Sequence, residues 1–110
     1  MSLEIIPTGA AVGAEIRGVD LSQPIQAVDF ETIENAFNEH GVIFFRGQTL
    51  TPAQQLDFTQ RLGDLAFNTF GESRGLPDHP GIVVISNVLQ NGREIGIRRA
   101  GDAWHSDMCY

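Results

Sequence analysis

Residues 42–46 read VIFFR, four apolar residues closed by an arginine, and they stand between two stretches with strong helix punctuation. A run this short and this uniformly apolar suits a strand buried on both faces, because a strand with one wet face would alternate polar and apolar residues. Upstream, residues 29–40 (DFETIENAFNEH) predict a helix with Asp29 as its N-cap. Phe30, Ile33 and Phe37 fall on one face with Ala36 beside them, and Gly41 follows as the stop. His40 falls in the last turn, where the helix dipole favours a cation. Downstream, Thr51-Pro-Ala-Gln54 is a helix start: Thr51 can cap, Pro52 fits the first helical position, and Gln54 completes a capping box. That helix runs towards Gly63 and is expected to bury Leu56, Phe58 and Leu62.

The remaining segments are shorter. Residues 3–7 (LEIIP) predict a strand closed by Pro7, and residues 13–20 (GAEIRGVD) a second, with LSQP at 21–24 as a turn. From 66 to 81 the pattern breaks into Gly, Pro, Ser and Asn around Phe67 and Phe70, which reads as an irregular loop, either a binding lid or a connector. Residues 82–86 (IVVIS) predict another buried strand, Asn91-Gly92 a hairpin turn, 97–103 a loop, and 103–110 (AWHSDMCY) a strand-like end. Strands and helices mix without a regular βαβ alternation, so the fold class is mixed α/β, mainly β. No Walker sequence, dinucleotide-binding glycine pattern or Gly-x-Ser-x-Gly elbow is present.

Composition narrows the functions. A chain of 110 residues, 42% hydrophobic and 19% charged, fits a single globular domain. The net charge is −7 and all seven basic residues are arginine, so no basic surface for nucleic acid is expected; Arg93, Arg98 and Arg99 cluster locally, with Glu94 among them. No apolar run approaches a membrane span, the N-terminus does not read as a signal peptide, and Cys109 has no cysteine to pair with. A cytoplasmic location without membrane contact is the expectation.

The chemistry concentrates at the end. In a strand, His105 and Asp107 would face the same way with Cβ atoms ~6–7 Å apart, close enough to share one ion. Trp104, Ser106 and Met108 would face away, and Cys109 would return to the metal-side face. An imidazole plus a carboxylate is two thirds of the facial triad that holds non-haem Fe(II), whereas a thiolate would favour zinc or copper. The other histidines are His40 and His79, one at a helix end and one in the irregular loop. On these residues alone a surface His/Asp pair, an iron site and a cupin-like metalloenzyme recruiting His79 all stay open.

Three ordered blocks together resemble the N-terminal part of the TauD/TfdA (taurine dioxygenase) family of Fe(II)- and 2-oxoglutarate-dependent dioxygenases. They are IIPTGAAVGAEIRGVDLSQPI, HGVIFFRGQTLTPAQQLDFTQRLGDL and AWHSDMCY, the last carrying the W-H-x-D metal motif. The resemblance implies a double-stranded β-helix (jelly-roll) core with flanking helices, incomplete in this chain, with residues 1–110 as the N-terminal portion of one dioxygenase domain. It implies His105 and Asp107 as iron ligands, with Fe(II) as cofactor, 2-oxoglutarate and O2 as cosubstrates, and a small organic substrate hydroxylated as succinate and CO2 are released. Taurine, alkyl sulfates, aryloxyalkanoates and amino-acid derivatives fall within the family's range, and members often form homo-oligomers. Segments 66–81 and 98–103 would lie near the substrate entrance. No residue here is assigned as the distal histidine ligand or as the arginine that pairs with 2-oxoglutarate, and the chain by itself is expected to lack oxygenase activity. A non-catalytic half-fold that binds another chain through its open sheet is the competing reading.

Four residues are candidates for substrate contact, each beside a plainer role. Trp104 could wall the site or pack the core. Asn87 could meet substrate or cap a turn. Arg99, with Arg98, could steer an anion or be an exposed charged pair. Phe70, with Phe67, could line an apolar pocket or pin its loop.

Overall fold

The computed structural model describes residues 2–65 and 75–106. The chain divides into two compact units, Met1–Asp64 and Leu65–Tyr110.

In the first unit, β1 (Glu4–Pro7) and β2 (Ala14–Arg17) form an antiparallel hairpin with Ile5 opposite Ile16. Helix α1 (Ala27–His40) then carries the chain across to β3 (Ile43–Phe44), which pairs with β2 in parallel. Parallel neighbours need such a crossover, so β2-α1-β3 is one βαβ unit in a sheet ordered β1-β2-β3. Helix α2 (Pro52–Leu62) follows.

The core lies between the sheet and α1. Ile16 and Ile33 are fully buried, with Ala36 beside them and Leu3, Ile5, Ile43, Phe45 and Phe58 packed around. Removing each isoleucine from water contributes about 1.5–3 kcal/mol. Phe58 joins α2 to this core through edge-to-face contacts with Phe30 (6.1 Å) and Phe45 (5.6 Å). Polar clamps hold the 19–25 loop: Gln48 bonds the Leu21 amide (2.9 Å) and the Val19 carbonyl (3.1 Å), and Arg61 donates to Ile25 O (2.9 Å) while stacking on Phe30.

Several expectations are corrected here. The N-cap of α1 is Gln26, without a side-chain bond, and Asp29 sits inside the first turn, where its charge suits the helix dipole. Phe37 shares the apolar stripe by periodicity yet is 43% exposed, because it lies in the last turn, where nothing described closes over it. The VIFFR strand shrinks to Ile43–Phe44, half-buried, because β3 is a sheet edge paired on one side among the described residues. The α2 capping box forms as expected, with Thr51 and Gln54 bonded reciprocally, but α2 buries no residue completely and Leu62 is exposed.

The second unit consists of two small hairpins. β4 (Gly75–Leu76) pairs with β5 (His79–Val83), and β6 (Leu89–Gln90) with β7 (Arg93–Glu94). Residues 75–81 of the expected irregular loop thus belong to a hairpin, its residues 66–74 lie outside the described residues, and the expected strand at 82–86 begins earlier, at His79, and ends at Val83. It is not buried on both faces: Ile85 is 68% exposed and touches Ile97 through a single parallel bridge. The Asn91-Gly92 turn is as expected, with both residues at positive φ (52° and 75°), the geometry a two-residue hairpin requires. Phe67, Phe70, Asp107, Met108 and Cys109 lie outside the described residues. No helix among the described residues is long and apolar enough to cross a membrane.

Candidate functional site

The approach to the W-H-x-D motif is built from the end of β7 onward. Ile97 is anchored by its amide to Val84 O (2.9 Å) and by its carbonyl to the Ser86 amide (3.1 Å). The chain then turns through 98–101. Arg98 pairs with Glu94 at 3.5 Å, and the Arg99 Nε–H reaches the Asp102 carboxylate at 3.2 Å across the turn. Gly101 closes it at φ +77°, a conformation that L side chains rarely adopt.

Residues 103–106 are not a strand. With no partner strand among the described residues, the period-two alternation that would set Trp104 and His105 on opposite faces does not apply. Both instead line one open hollow of about 420 Å³, together with Gly101, Asp102 and Ala103. Trp104 is wholly exposed, so it does not pack a core in this unit. His105 Nδ1 lies 2.7 Å from the Ala103 carbonyl oxygen. A carbonyl can only accept, so Nδ1 carries the proton and the lone pair of the neutral ring falls on Nε2. Metal-ligating histidines are usually held in this way, one ring nitrogen donating to a carbonyl while the other faces the ion.

The donor chemistry at His105 thus fits a divalent metal, and Asp107, outside the described residues, would add a carboxylate. Among the described residues no group of three or more His, Cys, Asp or Glu side chains comes together. His79 begins β5 with its backbone paired opposite Leu76. His40 ends α1, its carbonyl accepting from the Gly13 amide at 3.0 Å and its ring 3.9 Å from the Glu39 carboxylate, as suits a helix C-terminus.

Neither Asn87 nor Arg99 is among the residues that line the hollow. Asn87 is exposed, and the local cap is made by the neighbouring Ser86, whose hydroxyl accepts from the Val88 amide at 3.1 Å. Arg99 is exposed but engaged with Asp102. Phe70 is outside the described residues. Sequence reasoning missed Gly101, Asp102 and the Ala103 carbonyl. The available signal was a short one: an Arg and an Asp three apart spanning a glycine, immediately before the motif.

Comparison with known proteins points one way. The family model described as taurine catabolism dioxygenase TauD, TfdA family matches residues 4–110. An alpha-ketoglutarate-dependent sulfate ester dioxygenase from Pseudomonas putida is 34% identical over all of this chain, which covers 34% of that protein. Pentalenolactone F synthase from Streptomyces avermitilis is 37% identical, again over all of this chain and 36% of its own length. A crystal structure of a candidate alpha-ketoglutarate-dependent taurine dioxygenase from Burkholderia xenovorans superposes with a TM-score of 0.70 at 37% identity, covering 81% of this chain and 32% of that one. The chain spans about a third of the length of the curated relatives it matches.

Proposed function

From the premise that this chain belongs to the TauD/TfdA family of dioxygenases, we propose that the protein is an Fe(II)- and 2-oxoglutarate-dependent dioxygenase. Its substrate is a small organic molecule, hydroxylated with one atom of O2 while the other enters succinate and CO2 leaves. The observation that carries this reading is the His105 ring, held by the Ala103 carbonyl in the tautomer whose Nε2 can bind a metal, at the W-H-x-D motif.

In this reading His105 Nε2 and the Asp107 carboxylate hold the ion, and the hollow lined by Gly101, Asp102 and Trp104 adjoins it. The iron, when bound, supplies O2 activation coupled to decarboxylation of 2-oxoglutarate. The chain's residues supply place and environment: Ala103 O keeps Nδ1 protonated, and Trp104 offers an apolar surface to the substrate side of the hollow. Arg99, Phe70 and Asn87 would be further substrate contacts, Arg99 as a cation beside its pair with Asp102. Residues 1–110 form the N-terminal portion of one domain whose complete core is a double-stranded β-helix, with α1 and α2 flanking it.

The test uses the protein expressed from its complete reading frame, loaded anaerobically with Fe(II), and follows succinate release from 2-oxoglutarate with taurine, alkyl sulfates and aryloxyalkanoates. His105→Ala and Asp107→Ala are each expected to lower turnover by at least ~100-fold, about 2.7 kcal/mol of barrier. Metal binding with no dependence on 2-oxoglutarate would overturn the assignment.

A further inference from the structure

We propose that the turn closed by Arg99 and Asp102 is a positioning device for His105, with Asp102 and Gly101 as positioning residues; the inference rests on the dioxygenase reading for its purpose, though not for its geometry. Two neighbours of the His105 ring are visible among the described residues. The Ala103 carbonyl takes the Nδ1 proton at 2.7 Å. The point where a Gly101 Cβ would stand lies 3.7 Å from His105 Cε1, so the ring stands beside Gly101, where a side chain would touch it at ordinary contact distance.

These constraints are useful only if the backbone supplying them is itself held. No described strand passes through 98–106. What holds the turn is local: the Arg99–Asp102 pair at 3.2 Å bridges it, the Arg98–Glu94 pair at 3.5 Å ties its start to β7, and Gly101 takes the positive φ that lets it close. Asp102 is adjacent in sequence to Ala103, so holding its carboxylate restrains the peptide that enters Ala103, one residue before the carbonyl that meets His105. The Arg99 guanidinium also occupies the Asp102 carboxylate. Asp102 is among the residues that line the hollow with His105, and its carboxylate, without Arg99, would be a competing donor for a cation.

The experiment labels the histidines of the protein, expressed from its complete reading frame, with 15N. It reads the tautomer of metal-free His105 by NMR and the affinity for Co(II) by titration. An imidazole in water prefers the Nε2–H form, so a dominant Nδ1–H form in the wild type is the signature of the device. Asp102→Ala is expected to return the ring towards Nε2–H and to weaken Co(II) binding by up to about fivefold, the upper end for an exposed ion pair. Gly101→Ala, strained at positive φ, is expected to weaken it about tenfold. Arg99→Ala opens the same pair from its other side and serves if Asp102→Ala fails to fold. An unchanged tautomer in Asp102→Ala and Arg99→Ala overturns the proposal. If His105→Ala leaves Co(II) binding intact, the metal assignment fails instead, and the tautomer still decides the positioning role.

Discussion

Glu15 lies in β2 between Ala14 and Ile16, where its backbone is enclosed with theirs, yet its side chain is charged. Arg17 donates to it at 3.0 Å and Arg46 approaches at 3.5 Å. The hydrogen bond from Arg17, opposed by burial and reinforced by the charges of Arg17 and Arg46, holds the Glu15 carboxyl below its ordinary value. A carboxyl depressed in the folded state stabilises the fold above its unfolded pKa, near 4.5, and that contribution is lost as pH falls through the lower folded value. Asp20, depressed by the hydroxyl and then the amide of Ser22, acts in the same direction. Glu15→Gln is therefore expected to lower the urea midpoint at pH 7 and to lose less than the wild type between pH 7 and pH 3. Equal acid sensitivity in both would rule out Glu15 as a contributor. At this scale the proposed metal pair was legible in the sequence, because His105 and Asp107 stand two apart. It did not show the tautomer, because that depends on a backbone carbonyl whose direction no side-chain pattern encodes.

Among the elements, those set by local chemistry were legible and those set by distant partners were not. The Thr51–Gln54 capping box and the Asn91-Gly92 turn follow from bonds and dihedrals within four residues, and both are present. The face of α1 was also readable, but where the sheet stops beneath it was not, so Ala36 is buried and Phe37 exposed. The strand bounds of VIFFR and IVVIS failed for the same reason: an apolar run states a preference for burial, while the number of paired residues depends on the neighbouring strand. Helix α2 gives a direct test. Phe58 contacts two core rings, whereas Leu62 is 39% exposed at the helix end. Phe58→Ala is expected to destabilise by about 3 kcal/mol, the low end for a phenylalanine truncation, and Leu62→Ala by less than about 1 kcal/mol, as measured by chemical denaturation. Comparable losses would mean that α2 packs through its whole length and that the Phe58 contacts do not dominate.

For the whole molecule, the question is how much of the proposed reaction these 110 residues can perform by themselves. The two units contribute unequally: the first has the continuous core of Ile16, Ile33 and Ala36, and the second has short hairpins and the motif. A facial triad needs two imidazoles and a carboxylate at one ion, and no set of three donors converges among the described residues. His105 and Asp107 would leave the ion held by two protein donors, and no arginine here is assigned to the far carboxylate of 2-oxoglutarate. Binding the cosubstrate and O2 in register requires both. The 110-residue chain is therefore expected to release no succinate above the protein-free background when supplied with Fe(II), ascorbate, 2-oxoglutarate and O2. It should still bind Co(II) weakly, in a manner abolished by His105→Ala and visible as quenching of its single tryptophan, Trp104, which lines the same hollow as His105. Succinate formed at a rate that falls in His105→Ala would mean that these residues already hold a complete site. His79, the remaining histidine of the second unit, would then be the residue to substitute next.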